Sequence, residues 1–96
     1  MINSKQRSKL RSLAHHIKPS VYIGKSGLTD GVYSSIAESL EAKELIKVKF
    51  NESKDSKKDL IFSVKEKLSA SVVGDIGNTV IIYKQCDDSE LRKYKI

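Results

Sequence analysis

Ninety-six residues make one domain rather than two, and a chain of this size buries roughly 60–70 % of its unfolded surface without staples. One cysteine, Cys86, excludes an internal disulfide and a cysteine-built zinc site. No apolar run approaches the ~18 residues of a membrane span, and Met1-Ile2-Asn3-Ser4-Lys5 lacks the apolar middle of a signal peptide, so a soluble, cytoplasmic protein is expected. The net charge of +6 is unevenly placed. Residues 1–29 hold six basic side chains (Lys5, Arg7, Lys9, Arg11, Lys18, Lys25) and no acid, while the rest carry twelve basic and twelve acidic groups that cancel. A merely solubilising surface would mix the two signs; a one-sided excess suits a polyanionic partner.

Ser4 is expected to cap a first helix. Leu10, Leu13, Ala14 and Ile17 then fall at i, i+3, i+4 and i+7 as one apolar stripe. Arg7, Arg11, His15 and Lys18 recur on a second face. Pro19 ends the helix and pushes Lys18 toward extended backbone. Val21-Tyr22-Ile23 reads as a short strand. Gly24-Lys25-Ser26-Gly27 follows as a tight loop whose glycines permit a sharp turn and close approach of a ligand. Thr29 caps a second helix with Asp30 in its first turn, apolar at Val32, Ile36, Ala37 and Leu40, ending near Lys43. Leu45 to Phe50 alternates as a half-buried strand: Ile46, Val48 and Phe50 share one face, and Lys47 and Lys49 share the other with Leu45. Those two lysines either extend a basic surface or shield a sheet face.

After a polar connection over residues 51–58, Ser56 with Asp59 resembles a capping box opening a third helix, with Ile61, Val64 and Leu68 inward. Val72 and Val73 begin a strand, Thr79 to Tyr83 forms another, and Gly77-Asn78 suits the two-residue hairpin turn between them. Residues 87–96 are expected to fray. The order α-β-α-β-α-β-β predicts an α/β fold, a single two-layer domain with helices packed on a mixed four-stranded sheet. The four tyrosines (Tyr22, Tyr33, Tyr83, Tyr94) could stack on bases, but they are scattered and are expected at the core margin. His15 and His16, about 100° apart on a helix, cannot share a metal ion, and no metal or other cofactor is expected.

The loop suits a phosphate, and two kinds of phosphate compete for it. The nucleotide-binding pattern G-x-x-x-x-G-K-[S/T] needs a glycine five residues before Gly24, where Pro19 stands. The intervening Ser20-Val21-Tyr22-Ile23 reads as strand rather than as a wrapped loop of free amides, so a nucleotide-hydrolysing enzyme is disfavoured and no catalytic residues are expected. A glycine-x-x-glycine loop beside a helix start is also how KH domains clamp a single-stranded nucleic-acid backbone. The acid-free basic segment leading into the loop favours that second use.

The wider sequence resembles the CRM domain (chloroplast RNA splicing and ribosome maturation), especially its stand-alone bacterial YhbY type. The residues carrying the resemblance are Leu13-Ala14-His15, Lys18-Pro19, Ile23-Gly24, Gly27-Leu28-Thr29-Asp30-Gly31-Val32, Glu44-Leu45-Ile46-Lys47-Val48-Lys49 and Ile76-Gly77 through Tyr83-Lys84. The match spans roughly residues 4–84, leaving a tail over 85–96. The chain departs from the family at Lys43, where a histidine is frequent, without loss of positive charge. The resemblance implies a fold like the C-terminal domain of translation initiation factor three and a non-enzymatic RNA-binding protein. Its implied partners are ribosomal RNA in precursors of the large ribosomal subunit and, secondarily, ribosomal proteins. A monomer without membrane contact is expected. The candidate RNA-binding residues are Gly24, Lys25, Ser26, Gly27, Leu28, Thr29, Arg7, Arg11, His15, Lys18 and Lys47. A protein-interaction adaptor with incidental RNA contact is the alternative.

Overall fold

The computed structural model describes residues 2–51, 54–88, 90 and 92–94. Its elements are α1 (Ser4–Ala14), β1 (Val21–Ile23), α2 (Asp30–Lys43), β2 (Leu45–Phe50), α3 (Lys54–Leu68), β3 (Ser71–Ile76) and β4 (Thr79–Tyr83). The strands lie in the order β1-β2-β4-β3, with β1 parallel to β2 and the other pairs antiparallel. The element order and the mixed four-stranded sheet are those the sequence predicts.

Local chemistry sets the boundaries. α1 is capped by Asn3, one residue before the expected Ser4: the Asn3 side chain accepts from the Gln6 N–H, and Gln6 accepts from the Asn3 N–H. The cap of α2 is Thr29, as expected, accepting from the Val32 N–H at 3.2 Å. α3 begins at Lys54, so Ser56 lies inside the helix instead of capping it. The β3–β4 turn places Gly77 in left-handed backbone (φ 56°), which favours glycine at the first turn position.

The expected two layers become three over much of the sheet. Ile46, Val48, Phe50, Val80 and Ile82 face α2 and α3, packing with Ile36, Leu40, Leu60, Val64 and Leu68. Leu45, Ile81, Tyr83 and Val73 face the other way and pack against Leu10 and Ala14 of α1. The physical reason lies in β4, whose Val80-Ile81-Ile82-Tyr83 is apolar at every position and therefore requires cover on both faces. Two residues of the expected stripes are left outside: Leu13 is exposed because α1 buries only a narrow strip, and Ala37 is exposed on α2. α1 covers its face incompletely, since Tyr22, Lys49 and Ile76 on that face remain exposed. Tyr22 thereby departs from the expected place at the core margin.

Part of the tail is held instead of frayed. Glu44, in left-handed backbone at φ 64° and 2 % exposed, accepts at one carboxylate oxygen from the Cys86 N–H (2.7 Å) and at the other from the Lys93 N–H. Arg92 Nε donates to the Cys86 carbonyl at 2.8 Å, and Tyr94 stands edge-on to Tyr83 with ring centroids 6.4 Å apart. Burial, and next the Glu44 carboxylate, raise the Tyr83 phenol above its ordinary pKa.

Candidate nucleic-acid interface

β1 delivers the glycine loop to the end of the sheet where β2 finishes and β4 begins. There the Asn51 N–H donates to the Ile23 carbonyl (2.9 Å) and the Phe50 N–H to the Asn78 carbonyl (2.7 Å). Within the loop, the Gly27 N–H donates to the Gly24 carbonyl at 3.1 Å, closing a four-residue turn with Lys25 and Ser26 exposed at its centre. Val21 to Ile23 are in the ladder with β2, so this is a turn at a strand end and not a wrapped nucleotide loop. α2 starts at Asp30, which sets the positive end of its dipole beside the turn.

The two glycines serve different ends. Gly27 is buried at φ 67°, and a Cβ there would stand 3.0 Å from Ser56 Oγ at the start of α3. Left-handed backbone costs a non-glycine residue about 1–2 kcal/mol before any contact is counted. Gly27→Ala is therefore expected to lower unfolding free energy by about 1–3 kcal/mol, and an unchanged urea midpoint would contradict this. Gly24 has ordinary backbone, and among the described residues no atom lies within 4 Å of a Cβ built there. No contact with the described residues requires glycine at 24, whereas close approach of a ligand backbone would. Gly24→Ala should leave thermal stability within about 0.5 kcal/mol of wild type yet weaken RNA binding in a filter or anisotropy assay. Loss of stability with intact binding would reverse that assignment.

Of the remaining candidates, Arg11 and Lys47 share the α1 side of the sheet. A β-bulge between Val72 and Gly74 takes Val73 out of regular register, and the Val73 carbonyl accepts from Arg11 Nη2 at 3.4 Å. The absence of a side chain at Gly74 lets the guanidinium lie on the strand, for a Cβ there would be 3.1 Å from Arg11 Nε. Lys47 is half-buried on β2, and its carbonyl accepts from the Ser20 N–H at 2.9 Å, which draws the Lys18-Pro19-Ser20 connection alongside. His15 ends α1, and Arg7, His15 and Lys18 are exposed.

Lys25 stands in the turn that follows β1, at the end of the sheet. Gly27 tucks against Ser56 of α3, while Lys25 and Ser26 before it are exposed. Leu28 packs against the larger core and Thr29 caps α2, so the contacts of both serve the fold. Among the described residues the one ion pair joins Lys57 to Asp75 at 2.7 Å, leaving Arg7, Arg11, Lys18, Lys25, Lys47 and Lys49 without an acidic partner there. No group of three His, Cys, Asp or Glu side chains placed to hold a metal ion occurs among the described residues, and no helix there is long and apolar enough to cross a membrane. Tyr22 is exposed between inward Val21 and Ile23, an alternation already present in the sequence of β1.

The chain is similar to known proteins in sequence and in fold. The solution structure of SAV1595 from Staphylococcus aureus matches with a TM-score of 0.79 and 34 % identity, covering 99 % of this chain and all of that one. The chain is 37 % identical over 91 residues to the Probable RNA-binding protein YqeI of Bacillus subtilis, covering 94 % of this chain and 95 % of the relative. It is 33 % identical over 92 residues to an RNA-binding protein of Haemophilus influenzae, covering 95 % and 93 %. The profile of the CRS1 / YhbY (CRM) domain matches residues 2–84, from just before the cap of α1 to just past the end of β4. The chain belongs to the CRS1 / YhbY (CRM) domain family.

Proposed function

We propose that this protein binds RNA by its backbone and associates with precursors of the large ribosomal subunit to assist their assembly. The Gly24–Gly27 turn clamps phosphates at the sheet end, and α1 with Lys47 supplies a cationic track beside it. The observation that carries this reading is charge placement. The acid-free first 29 residues fold so that their cations stay exposed and none is paired with an acid among the described residues. Unpaired cations gain by releasing the counterions of a polyanion, and the relatives named for RNA binding support the same partner. Base-edge readout is not needed for such a clamp, so selectivity should be modest.

The test is sedimentation of cell extract through a gradient at two salt concentrations. The protein should travel with large-subunit precursors at low salt and leave them at high salt. Absence from those fractions at every salt concentration rejects the ribosomal assignment. One feature favours an adaptor instead: Phe62 on α3 is 87 % exposed. Association that resists high salt and is lost in Phe62→Ser would favour that reading.

A further inference from the structure

We propose that the part of the sheet left open by α1 is a stacking platform for unpaired bases of single-stranded RNA, with Tyr22 as its ring. This rests on the RNA-binding reading above and adds the class of RNA and a second set of contacts. Register places Tyr22 beside Lys49, Lys49 beside Thr79, and Thr79 beside Ile76. Register partners project to the same face, so these four side chains form one row across all four strands, ~14 Å wide at ordinary strand spacing. Tyr22 is 57 % exposed and Ile76 55 % exposed. The next row holds Lys47, Ile81 and Gly74, with the Arg11 guanidinium lying on Gly74.

Charge selects the occupant. Neither row contains an acid, and both carry cations. The nearby Asp75 pairs with Val80, which belongs to the opposite core, and its carboxylate is bound by Lys57. A ring and an apolar side chain separated by lysine and threonine suit a ligand that alternates flat faces with negative charge. Single-stranded RNA does so, whereas a duplex hides its base faces in its own stack. Tyr22 also lies two residues before Gly24, so one strand can pass from the platform to the clamp.

The experiment measures fluorescence anisotropy with three probes: a single-stranded oligouridine, an abasic strand of the same length, and an RNA duplex. Tyr22→Ala is expected to weaken oligouridine binding on the order of tenfold. Its affinity for the abasic strand and the duplex, and its salt slope on all probes, should match wild type. Tyr22→Phe keeps the ring and should bind as wild type does. Wild type itself should prefer oligouridine to the abasic strand, a comparison that needs no variant. Unchanged oligouridine binding by Tyr22→Ala, or an equal loss on all three probes, overturns the platform while leaving the clamp in place. Absence of salt-dependent RNA binding by wild type overturns both.

Discussion

Glu44→Ala is expected to lower unfolding free energy by about 2–4 kcal/mol, a large fraction of the 5–15 kcal/mol typical of a small domain. The Glu44 carboxylate is the common acceptor for two backbone N–H groups from the tail, those of Cys86 and Lys93, and it is almost fully buried. A buried donor left without an acceptor costs about 1–3 kcal/mol. The tail can recover part of this by detaching into water, so the first symptom should be local. Hydrogen exchange at Cys86 and Lys93 should accelerate far more than at Val80 or Ile82 in the central strand.

Backbone geometry adds an ordering that tail contacts alone would not give. Glu44 sits at φ 64°, a conformation that strains any residue with a Cβ by about 1 kcal/mol or more. Glu44→Gly loses the same carboxylate but relieves that strain, so it should be more stable than Glu44→Ala. Glu44→Gln keeps one acceptor oxygen of two and should fall between wild type and alanine. Urea unfolding of the three variants checks the order. A glycine variant less stable than the alanine variant would show that the backbone at 44 is not strained.

The second large effect concerns RNA. Lys25→Ala combined with Arg11→Ala is expected to reduce affinity broadly across sequences, by on the order of 1.5–3 kcal/mol for each charge-assisted hydrogen bond to phosphate that the substitutions remove. The slope of log K against log salt should flatten by ~0.7 per phosphate on single strands, about 1.4 for the pair. Arg11 is the better anchored of the two, since the Val73 carbonyl and the bare backbone of Gly74 fix its guanidinium. Lys25 stands exposed at the tip of the turn and must be ordered on binding. Lys57 is the internal control: Asp75 already binds it, and Lys57→Ala should leave the slope unchanged. An unchanged slope in the double variant would remove both residues from the footprint, and a flattened slope in Lys57→Ala would show that charge anywhere on the surface suffices.

Much of the fold was legible because local rules governed it. β2 alternates apolar and basic residues, Thr29 and Lys43 bracket α2, and Gly77-Asn78 sets the hairpin, so each of these boundaries appears in the structure. Near-equivalent neighbours were not resolved by the same rules. Asn3 outcompetes Ser4 as cap because Gln6 stands three residues after it and can return the bond. The basic candidates of α1 and the glycine turn were legible as residue types. That Arg11 reaches across to the Val73 carbonyl over the bare backbone of Gly74, on the face that also holds Lys47, was not, because it depends on how α1 packs on the sheet.

By itself, then, the sequence determined the order of elements, the acid-free basic segment and the family. Periodicity, capping and charge are properties of neighbours along the chain. Only the tertiary structure decided that α1 covers the opposite face of the sheet, that Glu44 holds the tail, and that position 24 has room for a side chain among the described residues while position 27 does not. Each of these depends on which distant residues meet: an all-apolar β4 needing cover twice, two tail amides reaching one carboxylate, and a helix start pressed against a turn.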